Sequence, residues 1–467
     1  MGLKRTDHGN GGAGTGKSTV ALYRVREVLE RPNATGQERV LFTTYTRALI
    51  AVTRQLLEQI LTPEQLARVR IAPCDQVARE LVASRRPLGT FESDRDTLRR
   101  LREARKTYEP AASSSFEGRL RVRALARLSD RYLLEEFDWI LTGRAIRSLG
   151  EYLDTARPGR GVAFPARLRT AVWELYQAFM ATGRGERFPE LRNEALEIVR
   201  GETWHYHWDY VFVDEAQDLS PSALALLAEV CGSAEGLFFV ADSKQSIYSR
   251  SYRWGSAHPR LQFRGRTAAL KRNYRSTKEI EQAAFSVLVP EDEETLEPSN
   301  SIHDGPLPVL VRGACAEQEA DWIWRFVREM ARHLHLRQSA AAVLVPSSEI
   351  GRTLATQLAN AGIPAIFFAG RELDLTADCV KVLTLYSAKG LEFPIVVVAG
   401  LYEGTYPLEQ DFDDADLFGE RMRHERRLLY VALTRAMRGL MLLVPKDCKH
   451  RALQEIDLSR WHLEEAG

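Results

Sequence analysis

The most specific chemistry in the sequence is the run Gly11-Gly12-Ala13-Gly14-Thr15-Gly16-Lys17-Ser18. It fits the pattern of a glycine, four residues, then Gly-Lys-Ser/Thr. Glycines let backbone N–H groups wrap a phosphate chain. The lysine reaches the outer phosphates, and the next hydroxyl ligates Mg²⁺. Lys17 is the expected phosphate contact, Ser18 an expected Mg²⁺ ligand, and the stretch through Thr19 the expected nucleotide cradle. A second run, Tyr210-Val211-Phe212-Val213-Asp214-Glu215-Ala216-Gln217-Asp218, is a hydrophobic strand ending in adjacent acids. Such a pair on its own caps helices. Beside a phosphate loop it reads as Asp214 holding Mg²⁺ through water and Glu215 polarising an attacking water as general base.

These residues need a scaffold that presents strand ends. Apolar residues recur at helical spacing in 20–30, and Arg39 to Thr44 reads as a buried strand. Further strands are expected at Tyr210–Val213, Leu237–Ala241, Pro308–Val311, Ala341–Val345, Val380–Leu385 and Ile395–Ala399. Helices are expected at 222–230, 317–334 and 349–361, and residues 95–200 read as mostly helical. Strands alternating with helices predict parallel sheets in an α/β architecture, with ligands at the carboxyl ends of the strands.

The 467 residues include 64 Lys+Arg against 63 Asp+Glu, a near balance that hides an uneven distribution. Residues 85–131 hold thirteen Arg/Lys and seven Asp/Glu, compatible with a phosphate-binding patch or with a solvated face. No apolar run is long enough to span a membrane, and Met1 to Asn10 lacks the apolar stretch of a signal peptide. The five cysteines lie far apart, which excludes a disulfide framework and a paired-cysteine zinc site and suits a reducing cytoplasm. His205-Tyr206-His207 and His333-Leu334-His335 have no third ligand nearby and read as structural.

Taken in order, the motifs resemble those of the UvrD/Rep-type superfamily-one DNA helicases. Val40 through Arg47 is similar to the segment that contacts DNA after the first helix, and Asp242-Ser243-Lys244-Gln245-Ser246-Ile247-Tyr248 to the glutamine motif that senses the γ-phosphate. Leu270 through Ser276 resembles the Asn-Tyr-Arg-Ser motif. Thr384 through Phe393 and Glu403 through Pro407 resemble the fifth motif and its following loop, and Glu425 through Ala436 the sixth.

The resemblance implies two RecA-like P-loop NTPase lobes with parallel sheets and a helical insert in the first. The boundaries expected are 1–84 and 201–262 for the first lobe, 85–200 for the Arg-rich insert and 263–467 for the second lobe. It implies ATP and Mg²⁺ as cofactors, single-stranded DNA as partner and translocation with 3′-to-5′ polarity in repair or recombination by a monomer. Gln245, Arg275 and Arg435 would meet the γ-phosphate, Tyr274 would stack adenine and Glu392 would hold the ribose. Thr44, Tyr45, Tyr248, Trp254 and Tyr386 are the expected DNA contacts, Tyr386 standing where the family has histidine. Two other readings stay open: an ATP switch that remodels a protein complex such as RNA polymerase, and an inactive nucleic-acid binder.

Three absences are also expected. Between Ser276 and Val380 there is no room for the family's large second insert, and the short stretch beyond Pro445 leaves none for a nuclease domain. A phosphate loop normally follows an apolar strand. Here it follows residues 1–10, which include Lys4, Arg5 and Asp7. Residues 1–9 are therefore not expected to form a regular central strand, the adenine-reading glutamine is expected to be missing, and a misassigned start, a frameshift or a degenerate copy is the expected reason.

Overall fold

The computed structural model describes residues 8–11, 16–31, 34–44, 47–111, 114–157, 164–183, 185–201, 204, 207–241, 254–263, 267–270, 272–288, 300–369, 374–402, 406, 415–446, 448 and 450–466. The first lobe is a parallel six-stranded sheet of β1 (His8–Gly11), β2 (Val40–Thr43), β3 (Val69–Ile71), β4 (Tyr210–Val213), β5 (Leu237–Ala241) and β6 (Thr267–Leu270), in the order β3-β2-β4-β5-β1-β6. Strands β2, β4 and β5 are short runs of mostly aliphatic and aromatic residues, as burial on both faces demands. Leu41, Val211, Val213 and Phe239 pack to one side, Val40, Phe42, Phe212 and Val240 to the other.

Of residues 1–9, expected not to form a regular central strand, only His8 and Gly9 are described. These two are paired in parallel on both sides, His8 with Phe239 and Thr267, so the sheet position before the phosphate loop is filled by His8–Gly11. A ladder requires only backbone amides and carbonyls, which these residues supply. The charged Lys4, Arg5 and Asp7 precede the paired residues and lie outside the described ones. Two boundaries also shift. The strand β6 belongs to the first sheet, although 263 was the expected start of the second lobe. The helix Phe188–Arg200, expected in the insert, buries Leu191, Ala195 and Val199 in the first lobe's core.

The insert has its own apolar core, built on Leu101, Leu133, Phe137, Val172, Leu175 and Phe179. Its two ends meet at a Phe91–Glu186 bridge, and Arg86 bonds both Glu186 and Glu194 there. A parallel pair, β7 (Arg272–Thr277) with β8 (Asn300–His303), follows. The second lobe is a parallel seven-stranded sheet of β9 (Val309–Arg312), β10 (Ala341–Val345), β11 (Ala365–Phe367), β12 (Val380–Thr384), β13 (Phe393–Val398), β14 (Ala436–Val444) and β15 (His462–Glu465), ordered β11-β12-β10-β13-β14-β9-β15. Alternate residues of β10 pack into different cores, Ala342 and Leu344 on one face, Ala341, Val343 and Val345 on the other. No described helix is long and apolar enough to cross a membrane.

Candidate nucleotide and nucleic-acid site

The phosphate loop lies between β1, whose last residue is Gly11, and the helix Lys17–Leu29. Gly12, Ala13, Gly14 and Thr15 lie outside the described residues. Gly16 caps the helix with φ +81, a left-handed conformation that glycine adopts without steric cost. Lys17 and Ser18 then occupy the first helical turn, where unpaired amides and the helix dipole favour an anion. Thr19 is exposed there.

The acids stand against this turn. Asp214 follows β4, fixed by its N–H donating 2.9 Å to the Thr43 carbonyl. The Ser18 hydroxyl donates to the Asp214 carboxylate, so the two expected Mg²⁺ ligands are together. Both are hard oxygen donors, the set Mg²⁺ prefers through its waters. Burial, and secondarily the charge of Glu215, push the Asp214 carboxyl up. Glu215 goes the other way. Burial opposes its ionisation, but Lys389, Lys17 and Arg435 together outweigh burial and hold its carboxyl down. Adjacent acids with divergent protonation suit divergent tasks. Glu215 also has φ +52, uncommon for a side chain of this size. The Gln217 amide donates to its Oε2 at 2.5 Å.

Two of those cations come from the second lobe. Lys389 pairs with Asp218 of the first lobe, with both side chains buried. Beside it Gly390, at φ +78, packs so closely on Leu49 that a Cβ there would lie 2.6 Å from Leu49 Cδ1. Arg435 is buried, and its guanidinium donates to the carbonyls of Val431 at 2.9 Å and Leu391 at 3.3 Å. Its charge also acts on Glu215. Arg275 instead forms an ion pair with Glu392, so two residues expected on different parts of the nucleotide sit on each other. Its Nε and Nη1 are buried without a partner among the described residues. Neighbouring Tyr274 is 54 % exposed, as a stacking ring must be. Gln245 lies outside the described residues.

The segment from Thr384 to Phe393 crosses the sheet. Parallel β12 ends at the carboxyl edge and β13 begins at the amino edge, so Tyr386 and Glu392 mark opposite ends of one connection. The Tyr386 hydroxyl meets His424 Nε2 at 2.9 Å and accepts from Arg131 of the insert at 3.1 Å. Arg131 also lies 5.8 Å from the Tyr386 ring centroid. Thr43 ends β2 and Thr44 follows it, both with buried hydroxyls that lack partners among the described residues. Trp254 is half-buried, its ring edge-on to Phe239 at 5.7 Å. Tyr45 and Tyr248 lie outside the described residues.

Sequence reading missed Lys389, Asp218, Gln217, Arg131 and His424. The first three stand inside the quoted motifs, but their partners are distant in sequence or a backbone turn away, and residue type alone signals neither.

Comparison with known proteins matches two family models. The UvrD/REP helicase N-terminal domain matches residues 163–266, and the UvrD-like helicase C-terminal domain matches 268–373 and 369–446. DNA helicase II of Escherichia coli is 46% identical over 87 residues, 17% of this chain and 12% of that protein. A probable DNA helicase of Mycoplasma pneumoniae is 23% identical over 454 residues, 92% of this chain and 79% of its own. DNA helicase IV of Escherichia coli is 22% identical over 499 residues, covering 93% of this chain and 66% of the relative. The phosphate loop lies upstream of both family matches, so its assignment rests on its residues and geometry.

Proposed function

The chain belongs to the UvrD/Rep helicase family, and from that premise we propose that it is an ATP-driven translocase or helicase on single-stranded DNA. The proposal extends to 3′-to-5′ movement, repair or recombination as the setting, and a monomer in the cytoplasm. One observation carries it: the acidic segment after β4 meets the second lobe, where Lys389 is buried against Asp218 and, with Lys17 and Arg435, holds the Glu215 carboxyl down. A nucleotide between the lobes therefore has a general base on one wall and cations on both. Phosphoryl transfer is catalysed by this kind of positioned charge in a dry cleft.

Ser18 and Asp214 would hold Mg²⁺, which neutralises charge between the outer phosphates. Lys17 binds the phosphates, Glu215 takes a proton from the attacking water, and Arg435 stabilises charge developing on the transferred group. The unpartnered nitrogens of Arg275 leave it two donors for a phosphate oxygen once lobe closure brings it near. Closure pulls on Glu392, and the crossing segment transmits that pull to Tyr386 at the far sheet edge. Tyr274 stacks the adenine. Thr44, Trp254 and Tyr386 contact the strand.

The test is steady-state ATP hydrolysis with and without oligothymidylate. The expected result is strong stimulation that declines steeply with salt. Hydrolysis indifferent to DNA would favour the protein-remodelling switch, and no hydrolysis with retained DNA binding would favour an inactive binder.

A further inference from the structure

We propose that Glu319 is a positioning residue for the nucleic-acid side of the second lobe, holding Gly400 and Tyr402, which follow β13, in the arrangement on which Tyr406 and Tyr386 depend. The inference rests on the translocase reading and names a residue outside every motif that supports it.

Glu319 sits in the first turns of the helix Ala316–His333, 1% exposed. Its Oε1 accepts the Gly400 N–H at 3.0 Å, and the Tyr402 hydroxyl donates to the same carboxylate. A helix behind the sheet thus reaches the carboxyl edge and grips two residues of one loop. Gly400 is fixed there. Its φ is +74, and a Cβ would lie 2.7 Å from Ile350 Cγ2. Without the carboxylate the Gly400 amide would be a buried donor lacking this acceptor, a cost of about 1–3 kcal/mol.

The grip reaches Tyr406 through one hydrogen bond. The Tyr402 carbonyl accepts the Tyr406 N–H at 3.0 Å. Tyr406 is buried, stacked on His450 at 4.9 Å, with its hydroxyl donating to the Glu425 carbonyl at 2.9 Å. The Tyr386 hydroxyl meets His424, the residue before Glu425, so the two phenols end on consecutive residues of one helix. The loops after β12 and β13 are neighbours: Leu385 N–H bonds Val345 O at 2.8 Å and Ala399 N–H bonds Leu344 O at 3.0 Å. Moving Gly400 and Tyr402 therefore moves what Tyr386 packs on, while the phosphate loop in the other lobe is untouched.

The experiment uses the full chain and two probes: a fluorescent oligothymidylate and a fluorescent ATP analogue. Glu319→Leu should weaken oligonucleotide binding about tenfold, about 1.4 kcal/mol of binding energy lost as the Tyr386 side shifts. Glu319→Gln keeps an acceptor for Gly400 and should stay within about threefold of wild type. Tyr402→Phe, which preserves packing, should weaken binding in the same direction as Glu319→Leu and keeps the test open if the leucine variant fails to fold. All should bind the ATP analogue as wild type does. Unchanged oligonucleotide affinity in Glu319→Leu and Tyr402→Phe would overturn the proposal, as would equal loss in Glu319→Gln or a parallel loss of nucleotide binding. A wild type that does not bind oligothymidylate sinks the translocase reading itself, and this inference with it.

Discussion

Lys389 of the second lobe and Asp218 of the first form an ion pair that both lobes bury, with 3% and 0% of the side chains exposed. Removing one partner of such a pair leaves a charge without compensation, typically at about 3–5 kcal/mol. Lys389→Met should therefore lower stability by about that amount in urea unfolding. The double variant Lys389→Met/Asp218→Leu should recover most of it. A double variant as unstable as the single one would show that the lysine acts through other contacts.

The same lysine is the largest attraction holding the Glu215 carboxyl down. In Lys389→Met, the acidic limb of the pH–rate profile should therefore move to higher pH. Glu215→Gln should reduce ATP hydrolysis by about 10²–10⁴-fold, the usual contribution of a positioned general base. Lys17→Ala should abolish hydrolysis as well, and DNA affinity should be largely kept in both. Wild-type turnover in Glu215→Gln would remove it as the base.

What the sequence disclosed divides by distance along the chain. The phosphate loop and the Asp214–Glu215 pair were legible because each is one local segment whose residue types follow from the chemistry. The main strands were legible because burial on both faces demands unbroken aliphatic runs such as Ala341–Val345. The strand β1 broke that rule: hydrogen bonding on both sides holds His8–Gly11 in line without an aliphatic residue. The Lys389–Asp218 pair spans 171 positions and leaves no local trace. Arg275 and Glu392 were assigned to different parts of the nucleotide, and only the fold shows that they neutralise each other.

Tyr386 offers a separation of ring from hydroxyl. Its hydroxyl is engaged by His424 and Arg131, and Arg131 also stands over the ring, so two variants distinguish the hydroxyl network from a base stacked in place of that guanidinium. Tyr386→Phe should bind oligothymidylate within about threefold of wild type, whereas Tyr386→Ala should lose about 1–3 kcal/mol of stacking. Fluorescence anisotropy measures both. Equal losses would assign the contact to the hydroxyl network and not to stacking.

Glu319 also makes a prediction for stability. Burial pushes its carboxyl from 4.5 up to about 7. A raised folded-state value means that the folded protein holds this proton more tightly than the unfolded chain. The resulting stabilisation is fully present below about pH 4.5 and is lost as pH rises through 7. At roughly 1.4 kcal/mol per pH unit the full loss is about 3 kcal/mol. Glutamine cannot ionise, so Glu319→Gln should match wild type near pH 5 and exceed it by up to that amount at pH 8. Urea unfolding of both proteins at the two pH values isolates the carboxyl, because every other titration cancels in the difference. A difference that does not change between pH 5 and 8 would show that Glu319 keeps one protonation state throughout.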